Sequence, residues 1–117
     1  MELTQDIAAT IRTARFSYAD EHDLQAGISE ALTDVGISFQ REVRMGTRDR
    51  IDFLVGTVGI EIKVASNVES VLRQLHRYAE WPTIDKLILI TTRATHLSLP
   101  RIIGNKPVEV IFMGGVR

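Results

Sequence analysis

Asp52, Glu61 and Lys63 are the residues of this chain whose types and spacing best suit chemistry. They lie in RIDFLV (50–55) and VGIEIKV (58–64), segments that alternate apolar and polar residues as half-buried strands do. Gly56-Thr57 between them can make a two-residue turn with positive φ, which predicts a hairpin. Val55 then opposes Val58, Phe53 opposes Ile60 and Ile51 opposes Ile62, placing their apolar side chains on one face. The other face sets Asp52 directly against Glu61 and Arg50 against Lys63. Opposed side chains have Cβ atoms about 4.5–5.5 Å apart, and like charges there are destabilising. Lys63 supplies one compensating charge. A divalent cation held by hard carboxylate oxygens, Mg²⁺ or Mn²⁺, would supply the rest. The competing reading is an exposed sheet face on which Asp52 and Lys63 form an ordinary ion pair.

Two helices must bring the remaining candidates to this face. Leu24, Ile28, Ala31, Leu32 and Val35 form one stripe of a helix over 21–35, with Asp20 as N-cap and Gly36 at the left-handed C′ position. Glu21 falls inside the arc of that stripe with Gln25 beside it. It either favours the dipole of its own first turn or reaches Asp52 and Glu61 as a third oxygen ligand. Glu30, on the opposite side, is expected in solvent. A second helix follows Ser66, whose spacing to Glu69 suggests a capping box; Val68, Val71, Leu72, Leu75 and Ala79 make its stripe, and it ends before Pro82. Gln74 and Tyr78 stack four apart on one edge, beside Arg73 and Arg77. That edge could orient a substrate strand, or Tyr78 could simply finish the core with its hydroxyl at the rim.

The other elements are a modest helix over about 4–15 with Thr4 as candidate N-cap, a strand at 37–43, a continuous apolar strand at 86–92, a short helical turn near 94–99 and a last strand at 108–113. The order is α-α-β-β-β-α-β-β. No repeat or linker divides the 117 residues, so one α/β domain is expected, with a core over about 20–113 and the first helix as an addition.

Composition narrows the classes further. Without cysteine, disulfides, thiolate metal sites and thiol nucleophiles are excluded together. No apolar run approaches the roughly 20 residues of a membrane span, and the acidic MELTQDIAAT does not read as a secretory signal. A cytoplasmic protein with no membrane partner is the expectation. Lys and Arg total 14 against 15 Asp and Glu, so global attraction to nucleic acid is absent. Locally, REVRMGTRDR concentrates Arg41, Arg44, Arg48 and Arg50. These suit phosphate as planar forks, or form a solvated, salt-bridged loop.

Taken together, Asp52 in RIDFLV, Glu61-Ile62-Lys63 in GIEIKV, the acid-bearing upstream helix with Glu21, and Gln74 and Tyr78 in QLHRY resemble the PD-(D/E)XK nuclease superfamily. The last element looks like the QxxxY motif of its RecB-like branch. The resemblance covers roughly residues 20–91. Ile51 stands where the family's motif has proline. It implies a restriction-endonuclease-like αβββαβ core, a mixed central sheet flanked by helices. It further implies that Asp52, Glu61 and the Ile62 carbonyl bind Mg²⁺ or Mn²⁺, with Glu21 completing or supporting the shell. Lys63 would position or activate water and stabilise developing charge; Gln74, Tyr78 and Gln25 would be accessory. The helix also carries His22, but helical spacing turns it away from Glu21. Arg41, Arg44, Arg48, Arg50, Arg73 and Arg77 would contact the nucleic acid.

The function so implied is a divalent-metal-dependent DNA endonuclease, phage- or prokaryote-encoded, serving a mobile element or repair, similar to Holliday-junction resolvases and VRR-NUC-like nucleases. A homodimer would let so small a domain address two strands; simple nicking would suit a monomer. The alternatives are a catalytically inactive nuclease-like module for DNA binding or assembly, and an α/β protein whose acidic face is merely solvated.

Overall fold

Local signals account for most of the elements in the computed structural model, which describes residues 3–114. Helix α1 runs Leu3–Thr13 and buries Ile7, Ala8 and Ile11; Thr4 lies within its first turn, not at its cap. Helix α2, Glu21–Asp34, starts at Asp20, whose side chain accepts from the Asp23 N–H, and ends with Gly36 at φ 80°. The Gly36 N–H donates to Thr33 O and the Ile37 N–H to Leu32 O, which is the Schellman closure expected of that glycine. Val35 caps the helix and is exposed, so it leaves the stripe.

The Schellman closure holds Ile37, so strand β1 starts later than expected, at Gln40, and runs to Met45. β2 is Asp49–Val55 and β3 Val58–Lys63. Helix α3, Val68–Ala79, is capped by Asn67, whose side chain accepts from the Ser70 N–H. Ser66, the expected cap, instead sits at φ 89° with its carbonyl accepting from His96 Nε2 at 3.0 Å, so the cap moves one residue on. β4 is Lys86–Thr91, and a 3₁₀ turn covers Ala94–Ser98. A two-residue strand, β5 (Ile102–Ile103), turns through Gly104 and Asn105, both at positive φ, into β6 (Lys106–Phe112). β5 was absent from the expected order, and β6 starts two residues early.

The six strands form one mixed sheet in the order β1-β2-β3-β4-β6-β5. The first three are antiparallel, β3, β4 and β6 are parallel, and β5 is antiparallel to β6. The domain is therefore a compact α/β domain with three α-helices among the described residues. Side chains of α1 and α2 pack with Phe53, Val55, Ile60 and Ile62 in one core layer, and those of α3 with Ile51, Leu87 and Leu89 in the other. No helix among the described residues is long and apolar enough to cross a membrane.

Alternation along β2 fails at one point. Ile51 belongs to the α3 layer and Phe53 to the α2 layer, although they are two residues apart. On β1, Arg41 lies over the Phe53 ring while Val43 joins the α3 layer. Between these pairs stand Asp52 and Glu42, and Glu42 takes φ 54°. The β1–β2 ribbon thus changes face at this level, and its outer half, 43–51, packs on α3 as an arm. Ile51 consequently does not share a face with Ile62, correcting the expected hairpin pattern. Gly59 makes room for the crossing, since a Cβ there would lie 2.5 Å from Ile51 Cδ1.

Candidate functional site

The hairpin turn sits at Gly56-Thr57 with Gly56 at φ 59°, and Val55 opposes Val58 and Phe53 opposes Ile60 as the spacing predicts. Beyond Phe53–Ile60 the ladder stops. Because the ribbon bends at Asp52, the expected backbone pairs Asp52–Glu61, Ile51–Ile62 and Arg50–Lys63 do not form; Arg50 pairs with Arg44 of β1 instead.

Carboxylates fill the opening between β2 and β3. Asp52 Oδ2 accepts the Ile62 N–H at 2.8 Å, and Glu61 Oε1 accepts the Asp52 N–H at 3.2 Å. The Ile62 carbonyl projects to the same edge as its N–H, as in any extended strand, and so enters the opening too. Lys63 Nζ lies 3.3 Å from Glu61 Oε2. Thus Asp52, Glu61, Ile62 and Lys63 are brought together, by side chains replacing ladder bonds and not by simple cross-strand opposition.

A buried acid, Glu61, and a half-buried one, Asp52, share one ammonium, so ionising both is resisted. Burial pushes the Asp52 carboxyl up to about 6 although the Ile62 N–H opposes this; the charge of Glu21 adds to the rise and Lys63 counters it. Glu61, only 3% exposed, is pushed up to about 8 by burial and then by Asp52, with Lys63 opposing. Asp52 and Glu61 offer the oxygen donors that a hard divalent cation prefers, and a cation between them would favour their ionised forms. Glu21 stands half-buried in the first turn of α2 and is felt by Asp52. It does not complete a cluster: among the described residues no three Asp, Glu or His side chains converge as a metal-ligand set.

On α3, Gln74 Nε2 donates to the Tyr78 hydroxyl at 2.9 Å, and that hydroxyl donates to the Arg50 carbonyl at 3.2 Å. Tyr78 is fully buried, and burial followed by the nearby Glu61 and Asp52 carboxylates raises its pKa, keeping it a neutral donor. Tyr78 thus completes the core, but its hydroxyl is buried against the Arg50 carbonyl of the arm and does not lie at the rim. Gln25 is buried and accepts from Arg41 Nη2 at 3.3 Å, while the Arg41 guanidinium lies 5.2 Å from the Phe53 ring centroid. Glu30 and His22 are exposed.

The other candidate arginines divide into two groups. Arg77 grips both oxygens of buried Asp49 at 2.7 and 2.9 Å, so its fork joins α3 to the arm. Arg44, Arg48, Arg50 and Arg73 are exposed.

Sequence reasoning overlooked Glu42, Asp49 and a buried brace at the carboxyl end of β3 and β4. There Thr91, the register partner of Lys63, meets His96 Nδ1 at 2.6 Å and accepts the Arg93 N–H at 3.0 Å. Since the Ser66 carbonyl can only accept, His96 Nε2 donates to it. Nothing local in the sequence announces a contact spanning 30 residues.

A groove of about 650 Å³ between α1 and α2, floored by Phe16, Gly27 and Ala31, contains none of the candidate residues. The titratable groups perturbed by burial and by each other lie instead at the opening between strands. No protein-family model matches this chain, and no curated protein or solved structure matches it either.

Proposed function

We propose that this chain is a divalent-cation-dependent DNA endonuclease of the PD-(D/E)XK type. The observation that carries the reading is the opening between β2 and β3, where the Asp52 carboxylate accepts the Ile62 N–H, the Glu61 carboxylate accepts the Asp52 N–H, and Lys63 Nζ lies 3.3 Å from Glu61. The succession α2-β1-β2-β3-α3-β4 supports it, being the αβββαβ order of a restriction-endonuclease-like core.

A phosphodiester is anionic and resists attack by water. Asp52, Glu61 and the Ile62 carbonyl would hold Mg²⁺ or Mn²⁺, with the charge of Glu21 supporting from α2. When bound, such a cation neutralises phosphate charge and makes water more acidic. Lys63, placed by its Glu61 contact, orients the attacking water and offsets charge growing on the phosphate as one P–O bond forms and the other breaks. Gln74 and Tyr78 hold the Arg50 backbone, and with it the arm, beside the acids.

A specific observation favours a second reading. Both Glu61 oxygens and one Asp52 oxygen already have partners within the chain, which suits a catalytically silent nuclease-like module that binds DNA. Cleavage of supercoiled plasmid, single-stranded and four-way-junction DNA in Mg²⁺, Mn²⁺ or EDTA separates the two. For the nuclease, cutting requires the cation and falls at least about a hundredfold in Asp52→Ala and in Lys63→Ala. Folded wild-type protein that cuts none of these substrates in either cation overturns the nuclease reading.

A further inference from the structure

The arm formed by residues 43–51 carries a cationic outer face. Val43, Met45 and Ile51 pack towards α3, and Asp49 on the same side is held by Arg77. Strand alternation turns Arg44 and Arg50 the other way, and these two are direct cross-strand partners. Both are exposed, as is Arg48 in the turn at the tip. Like charges in such a position repel at Cβ separations of about 4.5–5.5 Å. The one acid within the arm cannot relieve them, because both of its oxygens are spent on Arg77. Asp52 follows Arg50 by two residues, so the pair stands at the rim of the acid-bearing opening.

We infer that this two-stranded arm enters a groove of double-helical DNA, with Arg44, Arg48 and Arg50 against the phosphates, and that duplex DNA is accordingly the preferred ligand. The inference rests on the nucleic-acid reading above but not on catalysis. A two-stranded ribbon fits the major groove of B-form DNA, roughly 12 Å wide. The deep, narrow major groove of A-form RNA does not admit it. Single strands are held mainly by stacking bases on aromatic side chains, and residues 43–51 contain no aromatic residue. Anchorage on α3 through Asp49–Arg77 keeps the arm ordered before binding, which reduces the entropic cost of docking.

The test measures affinity and its salt dependence in EDTA for a short DNA duplex, the matching single strand and a double-stranded RNA of equal length. Wild type is compared with the double variant Arg44→Ala/Arg50→Ala and with Arg101→Ala, which removes an exposed arginine beside β5 at the opposite edge of the sheet. Thermal melts of all three confirm folding. The expected result is a preference for the DNA duplex, weakened on the order of tenfold in the double variant with a salt slope lower by about two, and unchanged in Arg101→Ala. Equal affinity for single strands or RNA, or a double variant that binds duplex as wild type does, overturns the inference. If cleavage is absent but the double variant loses duplex binding, the arm stands and the nuclease reading fails. If cation-dependent cleavage is present and the double variant binds and cuts normally, the nuclease stands and the arm fails.

Discussion

The Asp52 backbone N–H donates to Glu61 Oε1 at 3.2 Å, so the acid of one strand replaces the ladder bond that the neighbouring strand has lost. A carboxylate used in this way must lie within the sheet, and it shares its surroundings with the Asp52 carboxyl. The relationship couples fold stability to the charge of the pair.

That coupling gives a pH dependence with a definite sign. Glu61 has a folded pKa near 8 against 4.5 for the free group, so the folded chain binds more protons than the unfolded chain between those values. The contribution of Glu61 is therefore fully present below about pH 4.5 and is lost as pH rises through about 8. We expect the stability difference between wild type and Glu61→Gln to shift against wild type by a few kcal/mol across this window in EDTA. Saturating Mg²⁺ should restore wild-type stability most at the alkaline end, by binding the folded form. Denaturant melts at several pH values measure both effects; a difference independent of pH refutes the coupling.

The Asp49–Arg77 fork should matter more for stability than an ordinary surface pair. Asp49 is 7% exposed at its side chain and Arg77 35%, so losing the guanidinium strands a buried carboxylate while solvent softens the penalty. Arg77→Ala is expected to cost about 1–3 kcal/mol in urea unfolding, and Arg77→Lys to recover only part of it, because a point charge cannot span both oxygens. A loss no greater than for Arg101→Ala would place the fork among the neutral surface pairs.

Particular residues show how far the sequence could be read. Asp20 and Gly36 act through contacts within a few residues, and both ends of α2 follow from them. The turn at Gly56-Thr57 was legible, but the acids beside it meet through side chains that replace ladder bonds and not by the opposition that the turn predicts. The face change was not legible. Neither REVRM nor RIDFLV holds a glycine or proline to mark a change of face, and glutamate carries no signal for the left-handed conformation of Glu42. Ser66 and Asn67 are both competent caps; the choice depends on His96, whose ring reaches across from the turn after β4. β5 has only two residues, and Pro107 obscured the strand that Gly104-Asn105 turns into.

Glu42 is then open to a direct test. A non-glycine residue at φ 54° carries strain of about 1–2 kcal/mol, which glycine does not. Glu42→Gly should be neutral or stabilising by up to about 1 kcal/mol, and Glu42→Val should be destabilising by about 1–3 kcal/mol, since a β-branched residue tolerates this conformation least. Equilibrium unfolding of the two variants decides it. Equal stability of the glycine and valine variants would mean that the face change does not depend on this conformation.

Gly59 supplies the matching test from within the sheet. An alanine Cβ there would meet Ile51 Cδ1 at 2.5 Å, with Ile84 Cδ1 and Leu87 Cδ2 both at 3.3 Å, so the methyl group has no free direction. Overpacking of this kind costs about 1–3 kcal/mol. Ile51 must give way, and Asp52 follows it in the chain, so the damage should extend to the acids. Gly59→Ala/Ile51→Val removes the methyl group that clashes and should recover stability and, for the nuclease, cation-dependent cleavage together. Recovery of stability without cleavage would separate the packing of Ile51 from the placement of Asp52; failure to recover either would show that Ile84 and Leu87, rather than Ile51, demand the glycine.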